Sequence, residues 1–169
     1  MTASAIQDLM AELLVFVAMA TGYAGAPAPP EVVPIARPAL EQRVCGKPCP
    51  VVALFDPRQG ILIDDRLDVA GGAAAQSVLL HELVHYVQWR TSGRTAADCA
   101  EWLAREREAY RIQFAWLASL PDEVRGAAPE RPNFSRLRCE GPPVQAVTRP
   151  QPSPAGLDER AGFSYKERE

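Results

Sequence analysis

The chain has 169 residues, 47% of them hydrophobic and 23% charged. That describes one globular domain, long enough to bury a core. A formal charge of −3 gives no electrostatic reason to expect nucleic acid or an anionic membrane as partner, and the one dense basic patch, Arg131 to Arg138, is short.

Leu9 to Ala20 is apolar, and Ala24-Gly25-Ala26 has the small residues of a leader cleavage site. No basic residue precedes Arg37, however, and Asp8 and Glu12 interrupt the candidate apolar core. Ile6, Leu9, Leu13, Phe16 and Ala20 recur at helical spacing on a face apart from those acids. The expectation is an amphipathic first helix of the domain closing at Gly22, from a run too short and too acidic to span a bilayer.

Pro27, Pro29, Pro30 and Pro34 mark an extended entry, and Glu31 to Ala36 reads as a short strand. Cys45-Gly-Lys-Pro-Cys49 can close a tight loop, leaving Cys99 and Cys139 to tie a helix to the C-terminal segment. Such pairing implies an oxidising compartment and export with the leader already absent, although no convincing signal peptide is present; the alternative is four thiols with a structural role. Val51 to Phe55 and Ile61-Leu62-Ile63 flank the turn residues Asp56-Pro57-Arg58-Gln59-Gly60, so residues 51 to 63 make a β-hairpin in a small antiparallel or mixed sheet.

No proline falls from Arg58 to Leu120, although the chain has 16. Two helices fill most of that window. The first runs from about Gly72 to Thr91 and ends at Ser92-Gly93. Its Leu79, Leu80, Leu83, Val84, Tyr86 and Val87 leave it apolar nearly all round, which places it in the middle of the domain. The second is expected from Thr95, with Asp98 in a variant capping box, to just before Pro121. Asp122 to Arg125 reads as a helical turn. Beyond residue 139 the chain is rich in proline and lacks periodicity, so residues 1 to 139 form the domain and 140 to 169 a disordered tail. The fold class is α+β.

The first of those helices carries His81-Glu82-Leu83-Val84-His85, and these are the only two histidines in the chain. Histidines four apart lie about 40° from each other around a helix, so both imidazoles can face one ion. Glu82 sits about 100° from His81, near enough to hold a water at that ion without ligating it. A catalytic zinc needs a third protein ligand. On the next helix, with Leu103 set at zero, Glu106 falls at about −60° inside an apolar arc, whereas Glu101 and Glu108 fall near +160° and +140° beside arginines. A carboxylate in an apolar stripe is costly unless paired or bound to metal, which favours Glu106 over Glu108 as ligand.

In these residues the chain resembles the zincin metallopeptidases. With no third histidine and the motif in forward order, it is similar to the gluzincin type, whose third ligand is a glutamate on the following helix. Glu106-Arg107-Glu108-Ala109-Tyr110 matches the E-x-x-A-D pattern of that type in all but the last position, with Tyr110 where an aspartate would support a ligand histidine. The resemblance implies one zinc ion and hydrolysis of a peptide or protein substrate, with Glu82 as general base. Tyr110, Tyr86 or an arginine would stabilise the transition state. It also implies an edge strand that pairs with extended substrate, for which Ile61, Leu62 and Ile63 are the candidate. The alternatives are a zincin-like domain that binds a protein partner without catalysis, and two ordinary core histidines with Glu106 paired to Arg107 or Arg111. Gln88 and Gln113 flank the motifs as candidate hydrogen-bond donors to the site.

Overall fold

The computed structural model describes residues 3–23 and 28–126, with Pro129, Pro132 and Phe134. The cleavage-like Ala24-Gly25-Ala26, the arginines of the 131 to 138 patch (Arg131, Arg136 and Arg138), Cys139 and the tail from 140 lie outside the described residues.

Helix α1 (Ala3–Thr21) ends where Gly22 turns left-handed at φ 71°. Met10, Leu13, Leu14 and Val17 are buried, with Ile6, Leu9, Phe16 and Ala20 packed at the margin. The buried face is therefore rotated toward Met10 and Leu14 relative to the expected stripe. Counted from Ser4 to Thr21, the helix is long and apolar enough to cross a membrane by length and composition, with mean hydropathy 1.5. The expected shortness applies only to the run from Leu9.

Strand β1 (Val32–Ile35) leads into helix α2 (Arg37–Cys45), which the sequence reading did not anticipate. Its signals are local. Pro38 occupies the first turn, where no N–H is needed, and Gly46 caps the end at φ 67°. Leu40 anchors it with no exposed surface. Cys45 and Cys49 are disulfide-bonded across this end, with Cα atoms 6.5 Å apart, as expected. Cys99 is also disulfide-bonded.

Strands β2 (Ala53–Asp56) and β3 (Gly60–Asp64) form the expected hairpin. The Asp56 carboxylate accepts from the N–H groups of Arg58 and Gln59 at 2.7 and 3.2 Å, closing the turn. Gly60 is obligatory here. It has φ +92°, and a Cβ would lie 2.3 Å from the Glu31 carbonyl, which accepts from Ile61 N–H at 2.8 Å.

The sheet is mixed, in the order β1-β3-β2, with β1 parallel to β3 and β2 antiparallel to it. This corrects the assignment of Ile61, Leu62 and Ile63 as a substrate-pairing edge. They occupy the central strand, both flanks are hydrogen-bonded, and they are 0 to 4% exposed. Such an unbroken apolar run is what a strand covered on both faces requires. The edges are β1 and β2.

Helix α3 (Ala73–Ser92) contacts α1, β2, β3 and helix α4 (Cys99–Ser119), so it runs through the centre as its apolar circumference requires. Leu79, Leu80, Leu83 and Val84 are 0% exposed, each burial worth about 1.5–3 kcal/mol. Gly93 caps α3 at φ 70°. Helix α4 begins later than Thr95. Asp98 is its N-cap and accepts from Glu101 N–H at 2.8 Å, while the Glu101 carboxylate reaches back to Ala97 N–H at 2.8 Å. That pair is a capping box, displaced by one residue on its return arm. Helix α5 (Asp122–Arg125) is the expected turn. Among the described residues, five helices and a three-stranded sheet make the fold α+β.

Candidate metal centre

The antiparallel packing of α4 on α3 brings His81, His85 and Glu106 together, each offering a ligand atom within 4.8 Å of the others. The two Nε2 atoms are 3.1 Å apart. The Glu106 carboxylate oxygens lie 3.4 Å from His81 Nε2 and 3.2 Å from His85 Nε2. Glu106 thus turns to the histidines, and no ion pair between it and Arg107 or Arg111 occurs among the described residues.

What lies behind the rings decides what their facing nitrogens can do. His81 Nδ1 is 3.1 Å from Gln113 Oε1, and His85 Nδ1 is 2.9 Å from Gln88 Oε1. An amide oxygen only accepts, so each Nδ1 carries a hydrogen, and the two Nε2 atoms are the ones directed toward each other and toward the carboxylate. The three groups could hold a metal ion, and two imidazoles with one carboxylate are a donor set that zinc accepts while retaining an open position. Burial alone would push the His85 imidazole down. The Glu106 charge and hydrogen bond outweigh it, with help from Glu82 and Gln88, and raise it to about 9. For Glu106, burial alone would raise the carboxyl, but the His85 charge and the bonds from both rings hold it well below the usual range.

Glu82 takes no part in that convergence. It is 7% exposed, and one of its oxygens accepts from the Phe55 N–H of β2 at 2.7 Å. The free edge of β2 therefore faces this part of α3. Phe55 also packs its ring on Tyr86 and Trp89, with centroids 5.6 and 6.0 Å away. Glu82 is held beside the ligand atoms by the backbone of the strand that does form the edge.

Tyr110 lies next to His81, ring centroids 4.4 Å apart in an edge-on contact. Tyr86 is removed from the ligand atoms, and its hydroxyl donates to the Ala28 carbonyl at 2.7 Å. Glu108 is not with the ligand atoms; it accepts from Gln88 Nε2 at 2.9 Å. Ile112 is fully buried, although it falls near 180° from Leu103, outside the expected arc. The buried face is wider on that side, which brings Glu108 to its margin. Glu101 stays with arginines as expected, 2.6 Å from both Arg94 and Arg105. The Arg94 hydrogen bond, then that from Ala97 N–H, lowers its carboxyl to about 2.

The two glutamines are the site residues whose role the sequence left open. They are acceptors toward the histidines, not donors. Both are only 4% exposed, which is unusual for glutamine and required once their bonds are made.

The chain belongs to the family described as Domain of unknown function (DUF6647), whose model matches residues 2–125 and so ends with α5. No curated protein and no solved structure matches it.

Proposed function

We propose that this protein is a zinc-dependent hydrolase of the gluzincin type that cleaves peptide bonds. The observation that carries the reading is the convergence of His81 Nε2, His85 Nε2 and the Glu106 carboxylate, with the buried Glu82 held next to it by a strand edge. When bound, zinc supplies Lewis acidity, acidifying water and polarising a scissile carbonyl. His81, His85 and Glu106 hold the ion. Glu82 accepts the proton of the attacking water and delivers it to the leaving amine, so one carboxylate serves as base and then acid. The Phe55 N–H holds one oxygen of that carboxylate at 2.7 Å. Extended substrate pairs along the outer edge of β2 rather than with β3, and Tyr110, whose ring lies against His81, is the candidate donor to a developing oxyanion.

In this reading α1 is a helix of the domain whose inner face closes the core, and the Cys45–Cys49 bond supports an oxidising compartment.

Two measurements test the proposal. Purified protein should contain one zinc per chain, lost in Glu106→Ala and retained in Glu108→Ala. A broad peptide-library digest should show cleavage by the wild type, suppressed by chelator and by Glu82→Gln. Zinc retained in Glu106→Ala would refute the ligand set. Zinc binding with identical digests from wild type and Glu82→Gln would refute catalysis and favour a zinc-stabilised binding module.

A further inference from the structure

We infer that Gln88 and Gln113 are positioning residues, which fix the ring nitrogens that His85 and His81 turn to the metal through hydrogen-bond chains ending on acceptors. The inference rests on reading His81, His85 and Glu106 as ligands.

An amide side chain reads the same when flipped, so its orientation must be imposed from its far side. For Gln88 that far side is decisive. Its Nε2 lies 2.9 Å from the Glu108 carboxylate and 3.1 Å from the Arg105 carbonyl. Neither group donates, so the amide nitrogen must face them and Oε1 must face His85 Nδ1, which then carries the hydrogen. Glu108 therefore acts at one remove from the ligand it stabilises. The Gln113 chain ends differently. Its Nε2 donates to Ser77 Oγ at 2.9 Å, and the Ser77 hydroxyl donates to the Ala74 carbonyl at 2.7 Å. The polarity is the same, but one link is a hydroxyl that can rotate.

That difference separates an orienting role from one of filling space. Gln113→Glu keeps an acceptor for His81, and Ser77 can turn to donate to the new carboxylate. Gln88→Glu replaces the amide donor that faces these two acceptors with a second carboxylate, whose repulsion from Glu108 draws it off His85 Nδ1. Adding Glu108→Gln returns a donor to that pair, reversing the direction of the outer bond while leaving an oxygen on His85.

The experiment measures zinc dissociation constants by chelator competition, with circular dichroism of the metal-free variants as the fold control. Downfield proton NMR of the zinc-bound proteins reports hydrogen-bonded Nδ1–H groups directly. Losing such a partner weakens metal binding by about 10- to 100-fold. Gln113→Met and Gln88→Glu should each show that loss and each erase one Nδ1–H resonance. Gln113→Glu should stay within about threefold of wild type, and the Gln88→Glu, Glu108→Gln double variant should recover about tenfold over Gln88→Glu. Wild-type affinity in Gln88→Glu, or no recovery in a folded double variant, overturns the inference. Should Gln88→Glu not fold, equal affinities for Gln113→Met and Gln113→Glu overturn it. A wild-type chain that binds no zinc instead defeats the underlying ligand reading.

Discussion

Stripped of metal, the protein should lose stability as pH rises from about 6.5 to about 9, the interval over which His85 differs between folded and unfolded chains. Folding raises the His85 imidazole above its ordinary value, so the folded chain holds a proton that the unfolded chain releases near pH 6.5. The stabilisation is complete below that pH and disappears as pH climbs through about 9. The groups facing the ring are Glu106, Glu82, His81 and Gln88. Glu106, held far below this window, stays ionised in both states there and adds no slope. A tenfold difference in proton affinity between folded and unfolded chains is worth about 1.4 kcal/mol. Discounted because the His85 side chain is 19% exposed, the loss is on the order of 2 kcal/mol. Urea unfolding in chelator at closely spaced pH values measures it. Glu106→Gln removes the counter-charge and should flatten the curve. Stability that is flat or rises with pH in the wild type, or a slope that survives in Glu106→Gln, refutes the reasoning. Under the proposed ligand set zinc would displace this same proton, so calorimetry near pH 7 in buffers of different ionisation enthalpy should report release of about one proton per ion bound.

Three perturbations probe the scaffold. Leu83→Ala empties a site with no exposed surface on the central helix and should cost about 2–5 kcal/mol in urea unfolding; less than about 1 would place α3 nearer the surface than it lies. Asp98→Ala removes the α4 cap and should cost about 1 kcal/mol while leaving zinc affinity unchanged, since Glu106 lies two turns further along. Gly60→Ala must move the Glu31 backbone and should destabilise by more than about 1 kcal/mol; a wild-type melting curve would contradict the close approach of β1 to the hairpin.

Residues 72 to 120 were the most legible part of the chain because their signals are periodic and local. The circumference of α3, its Gly93 cap and the i, i+4 histidines all follow from 100° per residue, and so does the inward position of Glu106. Helix α2 was hidden by a different balance. It spans nine residues and buries one apolar side chain fully, Leu40, so periodicity carries almost no signal and only the Pro38 and Gly46 punctuation remains. The edge strand was misplaced because sheet order is a non-local property. Ile61 to Ile63 looks like a substrate ledge until β1, arriving in parallel, covers its other flank.

The glutamines mark the boundary between these cases. Gln88 follows His85 by three positions on the same helix, so its reach to Nδ1 could be argued from spacing alone. What spacing could not supply was the polarity of the contact, because that is set by Arg105 and Glu108 on another helix. Gln113 is harder still, since it is 32 positions from His81 and meets it only through the α3–α4 crossing. Yet it lies seven residues after Glu106, two turns along the same face. A helix that turns a carboxylate inward at one level and an uncharged amide inward two turns later is placing polar groups where an apolar residue would otherwise be cheaper. Either residue alone is an oddity of α4. Together on one stripe, opposite the only two histidines of the chain, they are what the proposed metal centre would require of the helix that faces it.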